Sequence, residues 1–397
     1  MYFNENDLAK YCIFAFQKHY KIKHTTLVTI KEAKTKKEMK QFIMFPFELY
    51  KDDKNWVPPL IFDEWNTFNP KKNPSFEFCE AAFFLALKEG KVVGRVAAII
   101  NHKANKIWND KRTRFGWIAF IDDEEVSKAL LDAAEQWGNA KGMKGIHGPL
   151  GFTDFDPEGM LIEGFENEPA ITSAYNHAYA PKHMEKHGFR KSVDWVQLKF
   201  NASQPIPEKV GRINKLISEK YKVNTIIPKS KKEIRKYIPG FFKGLNASFK
   251  HLYGFTELNQ RQIDYYTNAY FGFARPELLC FLTDENEEVV GFGIIMPSLS
   301  AAFKKAKGRL FPFGFIHILK ALKKYDKIDL YFNGVIPEWQ NKGIHSLYYA
   351  AMNEVAIARG VKTAISTGQL ETNTNAVGIW DNYEKEPYFR TRCFIKD

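Results

Sequence analysis

The chain has 397 residues, 45% of them hydrophobic and 26% charged, the balance of a globular protein that is too long for one ordinary core and suggests two domains. Its net charge of +12 favours anionic partners: nucleic acid, anionic lipid or a phosphorylated cofactor. Cys12, Cys79, Cys280 and Cys393 form no CxxC pair, which speaks against a zinc site or a disulfide framework and for reduced thiols in a cytoplasm.

In chain order, residues 1–26 read as a loose extension. Its apolar run, Tyr11 to Phe16, is too short for a signal-peptide core and far short of the ~20 residues that cross a bilayer. A cytoplasmic protein with no integral membrane association is therefore expected. AAFFLALKEGKVVGRVAAIIN then reads as strand, EGK turn and strand. FIDDEEVSKALLDAAEQWGNAKG reads as a helix with Asp122, Asp123, Glu124 and Glu125 at its start and Gly142 at its end.

HGPLGFTDFDPEGMLIEGFENEPAITSAYNHAYAP follows, with four glycines in the eighteen residues from His147 to Gly164, denser than a connecting loop requires. Two readings stay open: turns that pack two halves together, or a site for a cationic amine. In the second, Asp154, Asp156 and Glu158 are the attracting charges, and Tyr175, Asn176 and Tyr179 are further substrate candidates. HMEKH spaces His183 and His187 as zinc ligands are spaced, but its glutamate is out of place and a third ligand is lacking, so no metal is expected.

NASQPIP breaks the pattern near residues 200–206, and the order of elements then repeats. LLCFLTDENEEVVGFGIIMP mirrors the first hairpin, pairing Gly291 with Gly94; SLYYAAMNEVAIARGVKTAIS mirrors the acidic helix, pairing Gly360 with Gly142. The domains are set at 27–200 and 201–397, each an α/β unit with a mixed sheet and helices on its faces. The second copy carries an insertion, 301–324, rich in lysine and phenylalanine, which suits a lid or a membrane-surface or anionic-partner face.

Within GVIPEWQNKGIHSLYYAAMNEVAIARG a strand hands over to a helix through a glycine loop. The backbone N–H groups of Gln340, Asn341, Lys342, Gly343, Ile344 and His345 stand at the positive end of that helix and suit a pyrophosphate. The acidic first copy is two residues shorter here and is expected to have lost such a site.

VIPEWQNKGIHSLYYAA, followed by ETNTNAVGIWDNYE, resembles the GCN5-related N-acetyltransferase (GNAT) superfamily, with its Gln/Arg-x-x-Gly-x-Gly/Ala loop and its later Asn-x-x-Ala segment. The whole chain looks like a bacterial tandem-GNAT protein. The resemblance implies two tandem GNAT folds and acetyl-CoA or another acyl-CoA as cofactor, its pantetheine arm paired by Asn333, Gly334 and Val335 and reached by Asn373. His345 departs from the small last residue of the loop. Trp380 stands against the cofactor where the family's tyrosine protonates the leaving thiolate, so Tyr383, one helical step on, is the substitute acid.

Acyl transfer also needs a base and an oxyanion site. Glu371 and Asp329 are the nearest carboxylates in sequence, and Gly334 and Val335 the backbone donors. The expected function is acyl-CoA-dependent N-acyl transfer to the amine of a small metabolite. A tandem-GNAT transferase that uses aminoacyl-tRNA is the enzymatic alternative, with tRNA as a less favoured partner, and a non-catalytic acyl-CoA-binding scaffold is the other.

Overall fold

The computed structural model describes residues 27–271, 274–374 and 378–397. The expected extension, 1–26, and Ala376 of the family-like segment lie outside them.

The first half opens with β1 (Thr29–Glu32) and α1 (Lys36–Leu49), started by a capping box in which Thr35 and Glu38 satisfy each other's backbone amides. After α2 (Ile61–Thr67) comes the expected hairpin, β2 (Cys79–Lys88) and β3 (Lys91–Asn101). Its two-residue turn places Glu89 and Gly90 at φ 51° and 75°, the pair of positive values that matches strand twist. Then follow α3 (His102–Ile107), β4 (Thr113–Phe120), α4 (Glu124–Asn139), β5 (Ile146–Gly148), β6 (Met160–Glu163), α5 (Tyr179–Lys186) and β7 (Arg190–Asn201).

The second half begins with α6 (Glu208–Tyr221), a helix that precedes its first strand and has no counterpart in the first half. It continues with β8 (Asn224–Ile226), α7 (Lys231–Phe249), α8 (Gln260–Tyr266), β9 (Leu279–Thr283) and β10 (Val289–Pro297). The 301–324 insertion forms α9 (Ser300–Ala306) and α10 (Gly314–Lys323) between the third and fourth strands of this half. The chain ends with β11 (Lys327–Val335), α11 (His345–Ala358), β12 (Thr363–Ser366), β13 (Gln369–Leu370) and β14 (Lys385–Lys396).

The strands form one continuous mixed sheet in the order β1-β2-β3-β4-β5-β14-β7-β12-β11-β10-β9-β8. Each half gives its last strand to the other. β14 pairs with β5, Phe394 opposite Gly148, and β7 pairs with β12, Ala364 opposite Phe200. β7 and β14 then pair with each other along most of their length, and the bidentate ion pair of buried Asp194 with Arg392, at 2.8 and 3.0 Å, ties them at the centre. The repeat is visible in sequence, but the hydrophobic cores on either side of the junction share these two strands. Among the described residues no helix is long and apolar enough to cross a membrane.

Candidate active site

β11 and β12 run parallel only from Lys327 and Thr363 to Leu330 and Ser366. Beyond that the chain turns into β13, which pairs with β7 instead, so the sheet splays open beside the last residues of β11. In an antiparallel pair alternate residues direct both backbone groups at the partner. The Ile336 N–H donates to the Val290 carbonyl at 3.0 Å. By parity Gly334 turns toward β10, while the amides of Asn333 and Val335 face the splay. Gly334 is required by packing: a Cβ there would lie 2.6 Å from the Phe292 ring.

The loop that follows is held in shape by its own residues. The Gln340 amide donates to the Val335 carbonyl at 3.0 Å, and Asn341 and Gly343 take left-handed conformations, φ 61° and 76°. The φ of Gly343 favours glycine, and a Cβ there would also press on the Ile217 side-chain tip of α6 at 2.9 Å. The backbone amides of Asn341, Lys342, Gly343 and Ile344 have no hydrogen-bond partner among the described residues. They stand at the start of α11, which has no side-chain cap. Unpaired donors at a helix N-terminus are the arrangement that accepts a pyrophosphate. The Lys342 ammonium lies over the Trp339 ring at 4.3 Å, beside the loop, and His345 is half-buried, its pKa lowered by burial.

The first copy is built for a different end. Asp123 caps α4 by accepting from the amides of Glu125 and Val126 and is held by Lys88 at 2.6 Å, while Asp122 pairs with His183 at 2.9 Å. Those donors are already satisfied. His183 and His187 both contact the Ser127 hydroxyl at 2.8 Å.

The splay and the loop enclose a cleft of about 570 Å³ lined by Asn333, Gly334, Val335, Gln340, Asn341, Gly343, Ile344, His345 and Asn373. Most of the cofactor residues expected from sequence are thus brought together. Behind it lies a cavity of about 220 Å³ lined by Asp154, Asp156 and Glu158 of the first half. Phe249, Leu252, Tyr253, Asn333, Leu370 and Asn373 line both. The glycine-rich loop therefore packs the two halves together and also brings its three acids to a cavity. Phe155 stacks on Tyr266 at 4.2 Å and Thr153 bonds the Tyr266 hydroxyl at 2.9 Å, which joins the halves, while the three acids border the cavity. Burial pushes the carboxyls of Asp154 and Asp156 up to about 7 and about 6, and that of Glu158 well above the usual range; the Arg114 guanidinium opposes each shift. A further apolar crevice, lined among others by Phe241 and Met296, shares Phe155, Tyr270, Tyr331 and Phe332 with the acidic cavity.

Other expected site residues fall elsewhere. Tyr175 and Asn176 line a cavity of about 150 Å³ in the first half, which meets the acidic one at Ser173 and Ala174. The Tyr175 hydroxyl donates to Asp53 at 2.8 Å and the Asn176 side chain bonds the Leu161 backbone. Tyr179 donates to the Phe120 carbonyl. Asp329 is buried between β10 and β12, its pKa raised to about 7 by burial, and lines none of these cavities. Glu371 is engaged by Lys191 and by Arg390 at 3.0 Å. Trp380 is a core residue packed between Phe200 and Tyr349, ring centroids 4.4 and 4.6 Å away. Trp380 and Tyr383 line a separate cavity behind α11.

One hydroxyl missed by sequence reasoning stands at the meeting of cleft and acidic cavity. Tyr253, in the irregular segment after α7, bonds His147 Nδ1 at 2.9 Å and accepts from Ser192 at 3.0 Å. Its segment has no periodicity and no motif, so nothing local marked it. A second hydroxyl, of Tyr348 on α11, lies 3.4 Å from Asn333 Oδ1.

No family model matches the chain. A tandem GNAT protein from the clavulanic acid biosynthesis pathway superposes with a TM-score of 0.52, covering 93% of this chain and 98% of its own at 11% identity. The chain has the tandem GNAT fold. The GCN5-related glucosamine N-acetyltransferase region of a fungal multi-domain β-N-acetylglucosaminidase superposes on this tandem GNAT with a TM-score of 0.56 at 15% identity, covering 94% of this chain but 38% of that one. Two curated relatives are each 28% identical. Protein YghO of Escherichia coli K12 matches over 373 residues, 91% of this chain and 93% of its own. The bacterial ceramide synthase of Caulobacter vibrioides matches over 292 residues, 73% of this chain and 75% of its own.

Proposed function

We propose that this tandem GNAT is an acyl-CoA-dependent N-acyltransferase whose acceptor is an amine on a long apolar body. The observation that carries the proposal is the shared wall at Asn333 and Tyr253, through which the cleft beside β11 meets the acidic cavity of the first half. The free amides of the Asn341–Ile344 loop and the glycine at 343 fit a coenzyme A pyrophosphate. Bound there, an acyl-CoA supplies a thioester whose carbonyl carbon the amine attacks, so that a C–N bond forms and the C–S bond breaks.

The chain's own groups take the remaining tasks. The N–H groups of Asn333 and Val335, which face away from β10, would meet the carbonyl oxygen of a thioester held in the cleft. Asp154, Asp156 and Glu158 draw the ammonium in by charge, and carboxyls with pKa values near neutrality are matched to removing its proton. Tyr253 is the hydroxyl placed to return a proton to the thiolate.

The adjoining crevice of aromatic and aliphatic side chains, about 40 Å³, offers an apolar wall to the first few carbons of a tail. Ceramide is the amide of a long-chain amino alcohol, and the relationship to a ceramide synthase points the same way. The deciding experiment measures thiol release from short- and long-chain acyl-CoAs with short-chain amines and with a long-chain amino alcohol. Release with the long-chain amine alone is expected. No release with any amine, under conditions where coenzyme A raises the melting temperature, would leave a binding protein instead.

A further inference from the structure

We infer that the 301–324 insertion is a docking surface for anionic membranes. Phe311 is 77% exposed, Phe313 69% and Leu319 57%, and Phe62, next to an Ile61 whose amide donates to the Gly308 carbonyl at 2.9 Å, is 64% exposed. Phe311 and Phe315 touch, ring centroids 5.8 Å apart, and Phe315 and Leu319 follow at helical spacing on α10. Scattered single apolar side chains on a surface need no explanation, but a contiguous group of large ones marks an interaction site.

The charge around this group decides the partner. From Ser298 to Tyr325 the chain has seven lysines and arginines and no carboxylate. Lys304 is paired with Glu168 at 2.8 Å; Lys305, Lys307, Arg309, Lys320, Lys323 and Lys324 share the segment with the phenylalanines and have no ion pair among the described residues. Glu168 is engaged by Lys304, and Glu277 by Arg275 and Arg359. Exposed aromatic and aliphatic side chains ringed by basic ones match a bilayer of anionic lipid, in which the rings enter the acyl boundary and the ammonium groups meet phosphates. A protein partner of matching shape would need its own row of carboxylates.

The patch is also held firmly. The Arg275 guanidinium donates to the Leu322 carbonyl at 2.8 Å, and a Cβ on Gly308 would lie 2.6 Å from the Pro59 carbonyl, so both halves of the chain clamp the insertion. The inference stands on surface chemistry and does not depend on the acyl-transfer reading.

The test is co-sedimentation of the full chain with vesicles of phosphatidylcholine, with and without phosphatidylglycerol. Binding is expected only with the anionic lipid and falls with added salt. The double variant Phe311→Ser/Phe313→Ser and the triple variant Lys320→Glu/Lys323→Glu/Lys324→Glu should each weaken it by roughly tenfold or more, with unchanged circular dichroism and melting temperature. Three outcomes would overturn the inference: no binding to anionic vesicles; binding unaffected by either variant; or binding only after residues 1–26 are removed, which would assign the patch to that segment. Self-association without lipid that Phe311→Ser abolishes would give it to a second copy of the chain instead.

Discussion

Tyr253, from the second half, and His147, on β5 of the first, are joined by a 2.9 Å hydrogen bond where the cleft beside β11 meets the acidic cavity. Burial holds the imidazole neutral, its pKa pushed down to about 3, so the phenol and Nδ1 share a single neutral hydrogen bond. Removing the hydroxyl takes away the proposed proton donor and leaves a buried ring nitrogen unpaired. Tyr253→Phe should lower kcat for thiol release by about ten- to a hundredfold with little change in KM for acyl-CoA, and destabilise the fold by about 1–3 kcal/mol. An unchanged kcat would remove Tyr253 from the chemistry.

Asp154 links activity to stability through pH. Its folded pKa, about 7, lies above the ordinary aspartate value of 3.8, so above pH 7 the native state carries an unfavourable buried charge that the unfolded chain does not. Asp154→Asn should therefore raise the melting temperature at pH 8, an advantage that fades as pH falls through 7 toward 4. The same variant should flatten the rise of kcat/KM expected between about pH 6 and 7. A melting temperature that drops equally at both pH values would refute the burial argument.

Gly343→Ala puts a methyl group 2.9 Å from Ile217 at a φ of 76°. The backbone term alone costs about 1 kcal/mol. An alanine that relaxes away from this left-handed conformation spoils the common aim of the loop's free amides, and the dissociation constant for coenzyme A should rise by roughly tenfold or more. Calorimetric titration measures it, and an unchanged constant would place the pyrophosphate elsewhere.

Trp380→Tyr restores the residue that the family places at this point, yet it should give no gain in rate. The indole is packed between Phe200 and Tyr349, and its N–H donates to Gln369 at 3.0 Å. The expected effect is a loss of stability of about 1–3 kcal/mol from a changed core shape, read by denaturant unfolding beside the thiol-release rate.

Cutting the chain near residue 203 should leave neither piece folded alone. The first piece would lack β14, which covers β5, and the second would lack β7, which covers β12. Mixed pieces should recover circular dichroism and cooperative unfolding that each lacks separately. Cooperative unfolding of either piece alone would contradict the strand exchange.

The sequence by itself determined the elements and their repetition. Two-residue turns, helix caps and a glycine loop at 343 are local devices, set by φ preferences and by backbone groups that need partners within a few residues, and so they could be read in order along the chain. It also marked Asp154, Asp156 and Glu158 as unusual, and most of the phosphate loop. Only the tertiary structure decided that the acids of one half stand behind the cofactor strand of the other, that Trp380 and Tyr383 face away from it, and that Tyr253 stands at the junction. Those relations depend on two strands crossing between the halves. Strand pairing is set by long-range packing, in which a partner nearly two hundred residues away competes on equal terms with a local one.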